Sequence, residues 1–383
     1  METIYMDYNA TTPVREEVLD LMDRLSREVF GNPSSVHLAG RMARACLEDA
    51  RRKVAARIGA KPEEVYFTSG GSESDNLAIK GAAGLRKTGH IVTTCIEHSA
   101  VRRSCEYLAS VGFKVTCVPS NGSGYVDPGV LEEAIRPDTF LITMMWANNE
   151  TGQIQPVEEV ARIARRHKVL FHTDAVQAFG KIPVDVGAVP VDLLAISGHK
   201  FYAPKGIGAL FVRSGVKLAP QIHGGEQEHK LRSGTESVVA AAALAEACRL
   251  AVHDLPETQK RLGKLRDKLE HGILQRVPDT KVVGDPARRV ANTSNIAFRG
   301  VESSYLIQKM DEHGFAISGA SACASGQNTP STVLMKGMGL TREEAAGAIR
   351  LSLGRHTDES HIKKFLEVIP AVVEELRGVP SRR

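Results

Sequence analysis

A chain of 383 residues with 42% hydrophobic and 25% charged residues is long enough for two hydrophobic cores and has the balance of a soluble globular protein, not of a disordered or fibrous one. Its 49 Lys and Arg against 45 Asp and Glu leave a net charge of +4. The basic residues alternate with acids, as in Glu158 to Lys168, so charge gives no footprint for nucleic acid. No run reaches the roughly 20 apolar residues of a membrane helix, and Met1 to Asn9 lacks the basic start and apolar stretch of a signal peptide. Six cysteines, at 46, 95, 105, 117, 248 and 323, form no CxxC and no paired spacing, which fits free thiols in a reducing cytoplasm. Five of them read as small buried or partly buried hydrophobes. Cys323 is the exception. No repeat or low-complexity segment is present.

In chain order, helical and strand patterns alternate from about Pro13 to Arg213, the mark of a mostly parallel sheet covered by helices. A helix is predicted over Arg41 to Ile58, closed by Gly59. Strands are predicted at Val65 to Thr68, His90 to Thr94, Phe113 to Val118, Phe140 to Ala147, Val169 to Asp174, Leu193 to Ser197 and Ile207 to Val212, about seven in all. A long helical region, Ser237 to about Arg276, leads into a smaller α+β part. There strands are expected at Lys281 to Val283, Thr293 to Arg299, Phe315 to Ser318 and Ile349 to Ser352, with helices at Ser303 to His313, Thr341 to Ala348 and Glu359 to Leu376. The division expected is a large domain over residues 13–255 and a small one made of 1–12 and 256–383.

Several strands end in polar or glycine-rich segments, and ligands on open α/β sheets gather at the carboxyl ends of strands. Lys200 stands in Ser197-Gly198-His199-Lys200, with Asp174 and Gln177 upstream. A lysine amine for a Schiff base, a carboxylate to keep a ring nitrogen protonated, and hydroxyl and imidazole donors for a phosphate are what pyridoxal 5'-phosphate requires. Taken alone, Asp174 reads as well as a helix cap after a strand. Thr68 to Ser74 (TSGGSES) follows a strand and opens a helical stretch, a setting that suits an anion, although by itself it is also an ordinary tight turn. It is neither a Walker loop nor a dinucleotide fingerprint.

The motifs together resemble the cysteine desulfurases of the NifS/IscS type, pyridoxal phosphate enzymes of fold type I in the class V aminotransferase family. The resemblance rests on Tyr5 to Pro13 (YMDYNATTP), Gly31 to His37 (GNPSSVH), Phe67 to Ser74 (FTSGGSES), Glu97 to Val101 (EHSAV), Asn148 to Gly152 (NNETG) and His172 to Gln177 (HTDAVQ). It continues through Ser197 to Leu210 (SGHKFYAPKGIGAL), Leu231 to Glu236 (LRSGTE), Ser318 to Ser325 (SGASACAS) and Ile349 to Arg355 (IRLSLGR). Ten motifs in one order span nearly the whole chain.

The resemblance implies that Lys200 forms the Schiff base and moves protons, that Asp174 faces the pyridine nitrogen, and that Gln177 faces the phenolic oxygen. Gly71, Ser72, Ser197 and His199 would bind the phosphate, joined by Thr235 from the neighbouring subunit of a homodimer. His98 would stack on the ring and serve as acid or base. Asn149 would lie beside the ring oxygen and the substrate carboxylate, which Arg350 would grip bidentately. Cys323, among small polar neighbours in a mobile loop of about 318–332, would attack the sulfur of L-cysteine, release L-alanine and carry the sulfur as a persulfide to an acceptor protein. The length of that loop resembles the NifS/IscS branch.

The resemblance also has departures. Beyond Leu376 stand only Arg377 to Arg383, where housekeeping relatives carry a longer tail that docks an iron–sulfur scaffold, so iron–sulfur assembly, tRNA thiolation and DNA phosphorothioation remain open. Glu226 and Lys230 occupy positions where many relatives have glycine. His223, Glu226 and His229 share one loop without a settled ligand spacing, so no metal is expected. The alternatives are an aminotransferase or selenocysteine lyase of the same fold, or a catalytically silent partner subunit.

Overall fold

Seven strands, Val65–Thr68, His90–Thr94, Lys114–Val118, Thr139–Thr143, Leu170–Asp174, Leu193–Ser197 and Gly208–Val212, form the larger sheet of the computed structural model, which describes residues 3–319 and 330–378. From one edge to the other the order is Val65–Thr68, Gly208–Val212, Leu193–Ser197, Leu170–Asp174, Thr139–Thr143, His90–Thr94, Lys114–Val118. Only Gly208–Val212 runs against its neighbours; the other four pairings are parallel. Parallel neighbours need crossovers, and the helices Ser99–Ser110, Pro128–Glu133 and Val157–His167 provide them. Helices then cover the sheet, so the inner strands His90–Thr94, Thr139–Thr143 and Leu193–Ser197 are buried at every residue and read as continuous apolar or β-branched runs.

The second sheet is antiparallel throughout, in the order Ser318–Gly319, Ala348–Ser352, Thr293–Phe298, Thr280–Val282. Its core is separate: Leu269, Ile273, Phe298, Met310 and Phe365 pack between this sheet and the helices Leu255–Arg276, Ser303–Glu312 and Glu359–Gly378. The N-terminal strand Ile4–Tyr5 pairs in parallel with Phe315–Ala316, and Met6 enters the same core.

Four expectations are corrected. The helical region after Ser237 is two helices, Val238–His253 and Leu255–Arg276, meeting at Asp254. Pro256 lacks the N–H that would continue the first helix and sits in the opening turn of the second. The strand expected over Phe315 to Ser318 splits at Ile317, because its two halves pair with different partners. The helix expected to reach Ala348 ends at Ala346. Gly347 then passes so close to the Phe298 carbonyl that an added Cβ would lie 2.2 Å from its oxygen. Of the five cysteines read as buried or partly buried, Cys117 is exposed, on the edge strand Lys114–Val118.

The loop before Leu231 makes a left-handed turn: Glu228, His229 and Lys230 have φ of 45°, 53° and 68°. Each such residue costs about 1–2 kcal/mol when it carries a Cβ. A buried fork holds the turn in place. Arg51, on the helix Leu38–Arg57, donates from Nη1 and Nη2 to the two Glu228 oxygens at 2.7 Å each, and the Phe67 N–H adds a third bond at 2.8 Å. Lys230 itself contributes only an exposed ion pair to Glu226, worth little. Lys230→Gly is therefore expected to stabilise the protein by up to about 1 kcal/mol, the left-handed penalty less the glycine's entropy. A thermal melt in which this variant unfolds below the unaltered protein would contradict the reading of that turn as strained.

Candidate active site

A cavity of about 490 Å3 opens where the strands Leu170–Asp174 and Leu193–Ser197 end and the helix Gly71–Ala83 begins. Of the twelve residues expected to form a site, ten line it: Gly71, Ser72, His98, Asn149, Asp174, Gln177, Ser197, His199, Lys200 and Arg350. Thr235 lies on an exposed loop away from the cavity. Cys323 falls outside the described residues.

Each side chain is placed by its local structure. Asp174 is the last residue of its strand, and its Oδ1 accepts from the Val176 N–H at 2.9 Å. Lys200 closes a short turn after Leu193–Ser197, and its Nζ donates to the carbonyls of Asn9 and Ala10 at 2.7 and 2.8 Å. His98 caps the helix Ser99–Ser110, where Nδ1 accepts from the Ala100 N–H. Arg350 lies in the strand Ala348–Ser352 and is 1% exposed. Its Nη1 donates to the Asn149 carbonyl at 3.0 Å and Nη2 to Asp7 at 2.7 Å.

The turn Gly70–Gly71 is tight by necessity. Gly70 has φ 150°, and a Cβ on Gly71 would meet Val176 at 2.7 Å. Backbone N–H groups of a helix start thus face the cavity beside the Ser72 and Ser197 hydroxyls. Burial, with Lys200 and Lys205 nearby, pushes His199 down to about 4. Near neutral pH it is an uncharged imidazole that bonds through Nδ1 with Thr11 Oγ1 at 3.1 Å.

One acid lining the cavity, Asp75, was missed by sequence reasoning. Asp75 and Asp174 bring carboxylate oxygens, with a His98 nitrogen, within 4.8 Å of one another, the only such acid–imidazole–thiol grouping among the described residues. Burial raises both carboxyls, Asp75 well above the usual range. His98, the Val176 N–H and Lys200 oppose the rise at Asp174. Asp75 has no such relief, so the negative charge settles on Asp174. The 3.5 Å approach of His172 to Asp75 is not an ion pair, because burial holds His172 down at about 3. Asp75 follows directly on the FTSGGSES motif, but nothing in its spacing marks it.

One cavity thus holds an amine, a buried anion and an anion-binding helix start. The buried Asn149 Oδ1 and Arg350 Nε have no hydrogen-bond partner in the protein. This donor set fits pyridoxal phosphate, and the volume lies in the range of small-molecule pockets. Fold and cavity define a fold type I pyridoxal phosphate-dependent transferase.

Comparison with known proteins carries this to the family. Residues 4–365 match the class V aminotransferase family, and the chain belongs to it. Among relatives, a cysteine desulfurase IscS from Methanosarcina thermophila is 45% identical over 380 residues, covering 99% of this chain and 94% of the relative. A solved NifS-like protein superposes with a TM-score of 0.92 at 39% identity over 98% of this chain and all of the other. The structure of SspA in complex with cysteine does so with a TM-score of 0.82 at 39% identity, over 92% and 99% of the two chains.

Glu97, beside His98, is 3% exposed; its Oε1 takes bonds from Thr94 and the Met145 N–H, and burial still raises it to about 8. An unfolded chain releases that proton near 4.5, whereas the folded protein keeps it to about 8. Between those values the folded state holds the extra proton, so the group removes stability as pH rises, by up to about 1.4 kcal/mol per unit. Glu97→Gln keeps the acceptor oxygen and is expected to flatten the fall in stability across pH 5 to 8 in urea titrations. An unchanged slope would mean that the buried acid is not neutral.

Proposed function

We propose that the chain is a cysteine desulfurase that converts L-cysteine to L-alanine and captures the sulfur on Cys323. The convergence of Lys200, Asp174 and Arg350 on one cavity is the observation that carries this reading. The cysteine desulfurase and cysteine-complex relatives named above supply the substrate.

In this reading Asp174 holds the cofactor's ring nitrogen protonated, and the helix start at Gly71 and Ser72, with Ser197 and His199, holds its phosphate. Gln177 and Asn149 would hold the ring oxygen, and His98 would pack against the ring. Bound pyridoxal phosphate supplies an electron-withdrawing ring that stabilises negative charge at the substrate Cα and leaves the attached sulfur open to attack. Lys200 would hold the cofactor by its amine, and the same amine is the group that would take and return a proton at the substrate Cα. Arg350 exchanges its Asn149 carbonyl and Asp7 contacts for the substrate carboxylate. The Cys323 thiolate bonds to the sulfur while the C–S bond breaks, and its electron pair stays with carbon. Protonation there gives L-alanine and leaves a persulfide on Cys323.

The ends of the Cys323 segment support its reach. Ser318, just before it, is registered opposite Arg350, and Ser331, just after it, donates to Glu150 beside Asn149 at 2.5 Å. We further read the chain as two domains, 13–255 and 1–12 with 256–383, and as a homodimer in which Thr235 reaches the partner's phosphate site. Exposed Phe30, Val36 and Leu38, at 81%, 86% and 64%, offer apolar surface for a second copy. A reducing cytoplasm would keep Cys323 a thiol, and an acceptor protein would take the persulfide.

Incubated with pyridoxal phosphate, the protein is expected to acquire a visible absorption band that Lys200→Ala lacks. Cys323→Ser should keep the band yet lose at least about a thousandfold in sulfide and alanine formation. Full alanine release by Cys323→Ser would favour an aminotransferase, and a protein that stays colourless would favour a silent partner subunit. Arg350→Lys cannot grip a carboxylate with two parallel N–H bonds, so KM for L-cysteine should rise about tenfold or more with the band unchanged. An unchanged KM would remove Arg350 from substrate binding.

A further inference from the structure

Lys181 belongs to none of the motifs that mark the site, yet its side chain ends at the site's edge. It follows the strand end that bears Asp174 by one short turn, and its Nζ lies between two buried oxygens. One is Asn9 Oδ1, at 2.7 Å; the other is Gln177 Oε1, in close contact. Burial, with the nearby charges of Lys200 and Arg350, pushes its amine well below the usual lysine range.

The chemistry of these partners settles how the Gln177 amide must stand. On one side Gln177 Nε2 lies 2.9 Å from the Asn9 backbone carbonyl, which can only accept. On the other side, protonated or not, the lysine amine has at least two N–H groups, and it directs one at each oxygen. Turning the amide over would set Gln177 Oε1 against the Asn9 carbonyl and its NH2 against the lysine donors. The contact of the two carbonyl oxygens would become repulsive, and the lysine would lose one of its two acceptors.

We infer that Lys181 is a positioning residue that locks the Gln177 amide with Oε1 turned to itself and Nε2 turned to the Asn9 carbonyl, so that Gln177 meets the cofactor's ring oxygen as a donor. The inference rests on the pyridoxal phosphate reading above. A donor at that oxygen weakens its hold on the proton of the neighbouring Schiff-base nitrogen. Losing the donor makes the protonated form persist to higher pH.

The test uses full-length protein reconstituted with pyridoxal phosphate, and the readout is the midpoint of the pH titration of its visible band. Lys181→Met is expected to raise the midpoint by about one unit, as is Gln177→Leu. The decisive comparison is the double variant. If Lys181 acts through Gln177, adding Lys181→Met to Gln177→Leu moves the midpoint no further. Additive shifts would mean that Lys181 acts by its charge alone and would overturn the inference, as would a Lys181→Met protein that titrates like the unaltered one. Lys181→Arg keeps a donor-only head, and the cavity of about 60 Å3 that Lys181 lines with Gly180 and Lys200 gives it room. That variant should titrate within a few tenths of a unit of the unaltered protein. If Lys181→Met fails to fold, a Lys181→Arg shift as large as that of Gln177→Leu overturns the inference. Absence of colour in the unaltered protein would defeat the pyridoxal phosphate reading itself, an outcome distinct from a coloured protein with no shift.

Discussion

Asn9, 1% exposed, is the point on which the arrangement of the site depends. Its backbone carbonyl accepts from Lys200 and Gln177, and its Oδ1 accepts from Lys181 and Asn292. Its Nδ2 donates to Thr293 Oγ1, with a longer bond to the Asn149 carbonyl, and its N–H donates to Ser352. These partners come from the smaller sheet and from segments that follow strands of the larger one. Buried polar atoms left without partners cost about 1–3 kcal/mol each, so the N-terminal strand, the Lys200 turn and the strand Thr293–Phe298 cannot shift independently. Arg350 adds a second tie across the same seam, from the smaller sheet to Asn149 and to Asp7. A seam of this kind suits a site whose parts come from segments far apart in sequence, because every bond that positions a residue also joins the two cores.

Some of this was legible in the chain. The strands ending at Thr68, Asp174 and Ser197 stood out because each is a short apolar or β-branched run that stops at a polar or glycine residue, and all three ends border the cavity. The turn at Gly70 and Gly71 was equally plain, since only small residues pass so near Val176 and Ser197. Lys200, Asp174 and Arg350 came from ordered motifs, and the fold brings them to one cavity.

The rest was hidden for physical reasons. Asn9 sits inside a recognised motif, but its partners lie 140 to 343 residues away, a separation that no local pattern reports. Asp75 reads as one more acid on a helix; only its enclosure beside Asp174 makes it distinct. The left-handed turn at Glu228 contradicts local preference and exists because Arg51, 177 residues earlier, fills its centre. The division at Ile317 escaped notice because strands of two residues have too little periodicity to separate. The break at Asp254 could have been read from Pro256, had the helical pattern not continued beyond it.

The pair of acids under the cavity shows how a buried charge can be assigned to one of two similar groups. Two carboxylates this close in a low-dielectric setting do not both ionise, so one must keep a proton. Helical and strand positions alone would leave the choice open. Asp174 is decided by its neighbours: the Val176 N–H bonds to it, and His98 and Lys200 stand near enough to favour its charged form. Asp75 has neither a donor nor a cation, and both of its oxygens lack protein partners. The anion therefore lies on Asp174, and the neutral acid is Asp75, beside it in the cavity lining. A protonated Asp75 excludes a second negative charge that would compete for any cationic ring nitrogen placed over Asp174. It also leaves His172 neutral, so the floor beneath the cavity carries a single charge at a single defined position.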